Sequence, residues 1–107
     1  MKRVNRKTLE RRLDTLASEL CRLLAGGRCF HCGCDGHEPH HIISRNHKRQ
    51  RWNQYNLVYL CRTCHRKAHD EFIEFNRGLD GSVKIWSLPD LLDLEKELKI
   101  KIKEIGL

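Results

Sequence analysis

A chain of 107 residues has room for one domain, and we expect residues 1–107 to form one. Only 39% of the residues are hydrophobic, and no run approaches the roughly 20 apolar residues that cross a bilayer, which argues against a membrane protein. The formal net charge of +7 favours a polyanionic partner. The charged start lacks the apolar core of a signal peptide, so we expect a cytoplasmic protein whose six cysteines are metal ligands or free thiols.

The first predicted element is an amphipathic helix over residues 5–25, followed by the helix stop Gly26-Gly27. Leucines recur at helical spacing on one face, and charged residues fill the other. The stripe consists of Leu9, Leu13, Leu16, Leu20 and either Leu23 or Leu24. We interpret this stripe as a face packed on the domain core. The alternative is a seam between two chains, so we expect a monomer or a weak homodimer through this helix.

Residues 28–77 hold nearly all the cysteines and histidines and are predicted to form the core. Two short strands are expected over residues 38–43 and 56–60, which are rich in Ile, Val, Leu and Tyr. A polar, basic loop connects them. Its aromatic residues Trp52 and Tyr55 are expected to pack beneath the loop, with stacking on bases as the alternative.

A helix is predicted over residues 62–77, with Gly78 just past its end. Residues 83–86 are predicted to form one more short strand. The sequence from Ser87 to Asp90 is typical of a capping box that opens a last helix, over residues 87–105. The predicted fold class is therefore α+β, with a small central core flanked by N- and C-terminal helices.

Four cysteines in two CxxC pairs, Cys29 with Cys32 and Cys61 with Cys64, are the first set of candidate metal ligands. Four thiolates suit a closed tetrahedral Zn²⁺ site, and this spacing lets both sulfurs of a pair reach one ion. A core of about 50 residues is too small to rely on apolar burial alone, so a structural zinc makes physical sense. Cys34 is a competing ligand, but the second pair has two residues between its cysteines, and the same spacing in the first pair favours Cys32.

Histidines form the second set of candidate ligands. His65 and His69 lie one helical turn apart and can bind one ion together. Cys64 precedes His65, and because one helical residue is a rotation of roughly 100°, one helix start can serve two metals. A third imidazole from His40-His41 would leave positions open for water and phosphate, as a catalytic metal requires. The other histidines are expected at the surface or behind the ligands: His31, His37 and His47.

The order of these residues resembles that of the HNH endonucleases, whose active site is a β-β-α-metal motif. The likeness covers about residues 28–72. The residues that carry it are His40-His41-Ile42, Asn56-Leu57-Val58 and the run CRTCHRKAH from Cys61 to His69. The two cysteine pairs match the zinc-stapled branch of the family. The His-His…Asn…His-x3-His order is also similar to that of the nuclease domains of bacterial colicins, which lack the four cysteines.

The resemblance implies a role for each position. It implies that His40, His65 and His69 ligate the catalytic ion. It also implies that His41 is the general base that activates water and that Asn56 braces the loop. An unperturbed imidazole pKa of about 6.5 suits a base, and a divalent ion stabilises the charge that develops during phosphodiester hydrolysis. Because adjacent strand residues point to opposite faces, His40 and His41 would reach one phosphate only from a distorted strand or from its two sides.

One departure from the family concerns the metal. Many HNH enzymes have Asp where His40 stands, whereas all three expected ligands here are imidazoles. Imidazole favours Mn, Ni, Co or Zn over Mg as the catalytic ion. Glu38 is a nearby carboxylate that would blur this contrast.

Seven basic residues and no acidic one lie between Ser44 and His69, which favours binding to the phosphates of double-stranded DNA. Arg45, close to His41 in sequence, is expected beside the scissile phosphate and is counted among the catalytic residues. The expected DNA-binding residues are Arg45, Lys48, Arg49, Arg51, Arg66 and Lys67. The sequence offers little that would read bases, so low sequence specificity is expected. One such site would nick one strand per encounter.

These observations predict a metal-dependent DNA endonuclease that hydrolyses phosphodiester bonds. A non-catalytic, zinc-stapled nucleic-acid-binding module is the alternative, and it explains the cysteines and the basic loop. It gives no reason for the ordered histidines and asparagine. An interaction protein built on the leucine stripes would leave both the cysteines and the histidines unexplained.

Overall fold

The computed structural model describes residues 5–46, 50–70, 73, 75 and 86–105. The elements are α1 (Arg6–Leu24), β1 (Glu38–His41), a 3₁₀ turn (Gln54–Asn56), β2 (Leu57–Leu60), α2 (Arg62–His69) and α3 (Leu88–Ile105). Over these residues the fold is a small α+β arrangement with one two-stranded antiparallel sheet, as expected. None of the helices in this part of the chain is long and apolar enough to cross a membrane.

The ends of α1 follow from its flanking residues. Asn5 caps the first turn, because its side-chain oxygen accepts a hydrogen bond from the backbone N–H of Lys7 at 2.8 Å. Past the last turn, Gly26 and Gly27 adopt φ angles of 62° and 76°, in the left-handed region that glycine tolerates best. The predicted helix and its stop are confirmed.

The leucine stripe of α1 is buried inside the chain. Leu9, Leu13 and Leu20 are at most 1% exposed, and they share a core cluster with Leu91 and Leu98 of α3. The expectation that this face packs on the domain core is confirmed. Leu9, Leu13 and Leu20 are therefore covered within the chain, and the possible association of two chains through this helix stays a prediction.

The start of α3 is a capping box, as predicted. The backbone N–H of Asp90 donates to Ser87 Oγ at 3.2 Å, and that of Ser87 donates to Asp90 Oδ2 at 3.4 Å. An ion pair on the polar side adds to the contact between the two long helices, since Arg12 Nε lies 2.7 Å from Glu95 Oε2.

The two aromatic residues of the basic loop differ in burial. Trp52 is 2% exposed within the α1–α3 core, so its predicted packing beneath the loop is confirmed. Tyr55 is 60% exposed, and the same prediction is wrong for it. Tyr55 lies in the 3₁₀ turn, where the buried residue is its neighbour Asn56, which is fully buried.

The sheet pairs His40 with Val58 and His41 with Leu57. β1 ends at His41, two residues before the predicted end, and β2 begins after Asn56 rather than at it. One further backbone bond, from Ile42 N–H to Asn56 O at 2.9 Å, follows the last strand pair, and the Asn56 side chain then takes the place of the ladder, because its Oδ1 accepts a hydrogen bond from the Ile43 N–H at 2.7 Å.

The helix that follows β2 is shorter than the sequence indicates. α2 ends at His69, with Asp70 as its C-cap, so the predicted helix over residues 62–77 is wrong at the described positions beyond His69. Ile73 and Phe75 leave the helix and pack against a second small core cluster formed by Cys29, Val58, Leu60 and Cys64. Phe72, Gly78 and residues 83–85 of the predicted third strand lie outside the described residues.

Burial of the α1 stripe predicts a large loss of stability for Leu13→Ala. Leu13 is fully buried, and deleting a buried leucine side chain costs about 3 kcal/mol of unfolding free energy. Leu24, which is 54% exposed on the same helix, is the matched control, and Leu24→Ala should cost less than about 1 kcal/mol. Urea unfolding measures both changes. Equal losses would contradict the packing of α1 through this stripe.

Candidate metal centres and catalytic cleft

The four cysteines of the two CxxC pairs come together in one group. The ligand atoms of Cys29, Cys32, Cys61 and Cys64 all lie within 4.8 Å of one another. The Sγ atoms of Cys32 and Cys61 are 3.7 Å apart. With Zn–S bonds of about 2.3 Å, two ligands of a tetrahedral zinc are about 3.8 Å apart. This four-cysteine group can therefore hold a structural metal such as zinc.

Local backbone structure aims the thiols. The backbone N–H of Cys32 donates to Cys29 Sγ at 3.5 Å, and that of Cys64 donates to Cys61 Sγ at 3.4 Å. Gly33, at φ 78°, completes the first turn, and Cys61 is the N-cap of α2. Both pairs thus point their sulfurs inward through tight turns that the two-residue spacing permits.

The charges of the thiols depend on one another. Burial raises the pKa of Cys29, but backbone N–H groups, that of Cys32 first, outweigh burial and hold it at about 6. Burial, followed by the neighbouring thiols with Cys61 first, raises the pKa of Cys64 to about 12. Without a cation the group therefore resists carrying a full set of thiolates. A bound Zn²⁺ removes this conflict, because it favours the deprotonated form of every ligand.

Of the two candidate ligands Cys32 and Cys34, it is Cys32 that belongs to the four-cysteine group. Cys34 is exposed and lies outside the ligand group, although its backbone oxygen accepts a hydrogen bond from Cys29 N–H at 2.7 Å. His31 lies behind the group, with Nδ1 3.6 Å from Cys64 Sγ. His37 is at the surface, where its Nε2 accepts a hydrogen bond from Arg62. His47 lies outside the described residues.

Three histidines form a second group that can hold a metal ion. The ligand atoms of His40, His65 and His69 lie within 4.8 Å of one another. The Nε2 atoms of His65 and His69 are 2.9 Å apart, close to the roughly 3 Å expected for two ring nitrogens on one ion. The ring centroid of His40, from β1, lies 5.1 Å and 4.9 Å from those of the two α2 rings. This set is called the three-histidine group.

The chemistry of His40 fits a metal ligand. Its ring nitrogen Nδ1 is buried and has no hydrogen-bond partner among the residues that the structure describes, a costly state for a polar atom. Burial first, then the charges of His65, His69 and His41, lower the pKa of His40 to about 4. The ring is therefore neutral near pH 7, which is the form that binds a metal.

Glu38 lies behind His65 rather than in the ligand set. Its Oε1 accepts a hydrogen bond from His65 Nδ1 at 2.7 Å. This bond keeps the proton of the neutral His65 ring on Nδ1. The Nε2 atom, which lies beside His69, therefore carries a free lone pair that a metal can accept. The expectation that Glu38 lends a carboxylate near the ion is thus refined: it orients a ligand ring.

His41 lies at the end of β1 and does not belong to the three-histidine group. Its Nε2 donates a hydrogen bond to the backbone oxygen of Arg51 at 3.0 Å, so Nδ1 is the basic nitrogen. Burial lowers the pKa of His41, and the charge of Arg45 lowers it further against the hydrogen bond to Arg51. The ring is neutral near pH 7, as a general base must be.

An open cleft of about 840 Å³ brings the two adjacent histidines together. Its lining includes His40, His41 and Arg45 from one side and His65 and His69 from α2. Adjacent residues within a strand point to opposite faces, but His41 is the last residue of β1, and both His40 and His41 line this one cleft.

Asn56 braces the loop after β1, as the resemblance implies. Its Oδ1 accepts a hydrogen bond from Ile43 N–H, and its Nδ2 donates to the backbone oxygens of Ile43 and Gln50, each at 3.0 Å. The side chain is fully buried. Asn56 therefore acts on the cleft only through the backbone that it holds.

The expected DNA-binding residues do not share one environment. Arg45 lines the cleft, whereas the Arg51 side chain is 14% exposed and paired with Asp14 at 2.7 Å. Arg66 and Lys67 are exposed on α2. Lys48 and Arg49 lie outside the described residues.

Sequence reasoning missed Asp14, which accepts hydrogen bonds from Arg45, Arg51 and Trp52. It lies on α1, outside the resembling segment. An acidic residue on the polar face of an amphipathic helix looks the same in sequence whether it is solvated or paired. No signal in the sequence could have separated the two cases.

No protein-family model, curated protein or solved structure matches the chain. What is shown is a small α+β fold with one four-cysteine group and one three-histidine group, each able to hold a metal. This arrangement is compatible with a zinc-stapled β-β-α fold.

The geometry of the four-cysteine group predicts a sharp difference between two cysteine variants. Wild type and Cys34→Ser should each hold one more zinc per chain than Cys61→Ser does, because Cys34 lies outside the four-cysteine group. Cys61→Ser should lose the zinc and unfold the small core, since structural zinc supplies apparent binding energies of about 10–16 kcal/mol. Elemental analysis of dialysed protein and thermal melting measure the two effects. Zinc retained by Cys61→Ser but lost by Cys34→Ser would contradict the ligand set.

Proposed function

We propose that the protein is a metal-dependent endonuclease that hydrolyses phosphodiester bonds of double-stranded DNA, in the manner of the HNH enzymes. The supporting observation is that the three-histidine group opens onto the same cleft as His41 and Arg45. Phosphodiester hydrolysis needs a Lewis acid, a base and positive charge near the phosphate. One cleft offers a candidate for each.

The three-histidine group suits a catalytic rather than a purely structural ion. Three protein ligands leave coordination positions for water and for a phosphate oxygen, whereas four thiolates close a site. A divalent ion held by His40, His65 and His69 would supply a Lewis acid for the negative charge that develops on the phosphate and on the leaving 3′ oxygen. Glu38 keeps the His65 ring in the tautomer that this role requires.

His41 takes the part of the general base. Its bare Nδ1 accepts a proton from the attacking water, and the ring becomes an imidazolium. The carbonyl oxygen of Arg51 stabilises that cation, because the hydrogen bond from Nε2 strengthens when the ring is charged. The tautomer is therefore set before substrate arrives.

Arg45 takes the part of the phosphate clamp. Its side chain is 59% exposed, and its contact with Asp14 at 3.3 Å uses a single N–H. A guanidinium has five N–H donors in a fork that matches phosphate. The remaining donors are available to a phosphate that enters the cleft.

A second hollow, lined by Arg62 and Arg66 together with His65 and His69, lies beside the three-histidine group. The scissile phosphate would meet Arg45 in the cleft, and a neighbouring phosphate would meet these arginines in the hollow. Arg66 and Lys67 keep their proposed role as DNA contacts, as do Lys48 and Arg49. Arg51 does not, because its guanidinium is committed to Asp14. Phosphate contacts carry no sequence information, so specificity is low and one site nicks one strand.

Replacing the proposed base tests the function. With Mn²⁺, wild type should convert supercoiled plasmid to relaxed circles, and His41→Ala should do so at least about 100-fold more slowly, because the proton acceptor is gone. Zinc content and thermal melting should stay unchanged. Asp93→Ala, at an exposed position of α3 that lines neither the cleft nor the hollow beside the three-histidine group, should nick nearly as fast as wild type. No product from wild type would favour the non-catalytic binding module, and full activity of His41→Ala would refute the base.

The ligand set also predicts which metals support nicking. Rates with Mn²⁺ or Ni²⁺ should exceed the rate with Mg²⁺ at least about tenfold, because Mg²⁺ prefers oxygen ligands to imidazole. His69→Asp, which brings in a carboxylate, should narrow that difference. Plasmid relaxation at equal low-millimolar metal measures the rates. Equal or faster cutting by wild type with Mg²⁺ would contradict the imidazole site.

A further inference from the structure

The Asp14 carboxylate accepts hydrogen bonds from several side chains, and one of them, that of Arg45, lines the cleft. Its side chain is 30% exposed and accepts four hydrogen bonds. Oδ1 receives Arg51 Nε at 3.0 Å and Trp52 Nε1 at 2.9 Å. Oδ2 receives Arg51 Nη2 at 2.7 Å and Arg45 Nη2 at 3.3 Å. A single α1 residue thus holds three side chains from the segment between the two strands.

Two of those partners control the backbone next to His41. Arg51 and Trp52 are consecutive, and both side chains are tied to Asp14 Oδ1. The carbonyl oxygen of Arg51 is the acceptor for His41 Nε2 at 3.0 Å. Asp14 therefore fixes the residue whose backbone sets the tautomer of the proposed base.

The third partner is a cleft residue. Arg45 reaches Asp14 from the lining of the cleft, so the same carboxylate holds its guanidinium near His41. Arg51 is buried enough to require a paired charge, and its second acidic neighbour, Glu10, is at 4.0 Å from Nη1. Glu10 is too distant to replace the bidentate pair that Asp14 makes.

We propose that Asp14 is a positioning residue of the active site. It holds the Arg51 carbonyl against His41, so that Nδ1 remains the basic nitrogen, and it holds Arg45 at the cleft. This inference rests on the proposed function. It makes α1 a working part of the active site, although the helix lies outside the segment that resembles the nucleases.

The test compares Asp14→Asn with wild type and with Glu19→Gln, a matched control at an exposed position of the same helix. An amide has one oxygen where three side chains need acceptors, so Asp14→Asn releases part of the network. With full-length protein that carries zinc only in the four-cysteine group, its maximal rate of Mn²⁺-dependent plasmid relaxation should fall about 10- to 100-fold, as for other residues that orient a site. The Mn²⁺ concentration for half-maximal rate should not move, because Asp14 touches no ligand of the three-histidine group.

A spectroscopic readout separates this inference from the proposed function. In ¹⁵N-edited spectra of wild type, the His41 ring should carry its proton on Nε2, and Asp14→Asn should show a mixture of tautomers. If wild type does not nick, the proposed function fails, and the tautomer alone decides the role of Asp14. An unchanged His41 spectrum in Asp14→Asn would overturn the inference in either case, as would a wild-type rate when wild type nicks.

Asp14→Glu covers the case in which Asp14→Asn fails to fold. It keeps the charge that pairs with Arg51 but moves the carboxylate by one methylene group. The rate of this variant should lie between those of wild type and Asp14→Asn, with a partly mixed His41 tautomer. A wild-type rate together with a wild-type His41 spectrum would overturn the proposal.

Discussion

The four-cysteine group is the constraint on which the rest of the core depends. It joins the turn after α1 to the junction between β2 and α2, because Cys61 caps α2 and Cys64 lies in its first turn. Once that first turn is fixed, the direction of His65 follows, since one residue is a rotation of roughly 100° about a helix. His65 and His69 then face His40 across the sheet edge. The closed site thereby determines the geometry of the open one.

His41 and Arg45, the proposed base and the proposed phosphate clamp, are positioned by hydrogen bonds. Asn56 holds the loop after β1 from inside the core, and Asp14 holds the next stretch of the same segment from α1. His41 and Arg45 lie between these two anchors. The proposed active site is therefore assembled from three parts: the two strands and the helix that the four-cysteine group brings together, a buried asparagine, and a carboxylate from the N-terminal helix.

Features with a local cause could be predicted from the sequence. Helical periodicity predicted α1, the Ser87–Asp90 capping box predicted the start of α3, and the ligand spacings predicted both metal groups. Features decided by tertiary contacts could not be predicted. β1 ends early because a side chain of Asn56 takes over the ladder, and Ile73 leaves the helical pattern to pack on the small core. The ion pair between Arg51 and Asp14 could not be predicted either, because residues far apart in sequence carry no sign of such a pair.

The proposed mechanism requires that the catalytic ion be the ion bound by the three-histidine group. The most direct measurement is one Mn²⁺ titration of protein that carries zinc in the four-cysteine group and no metal in the three-histidine group, with two readouts: paramagnetic broadening of the His69 ring resonances and the rate of plasmid relaxation. We expect both to rise together, with the same half-saturating Mn²⁺ concentration, and no relaxation to occur before Mn²⁺ is added. Relaxation that saturates at a Mn²⁺ concentration unrelated to His69 broadening, or broadening with no relaxation at any concentration, would contradict the mechanism.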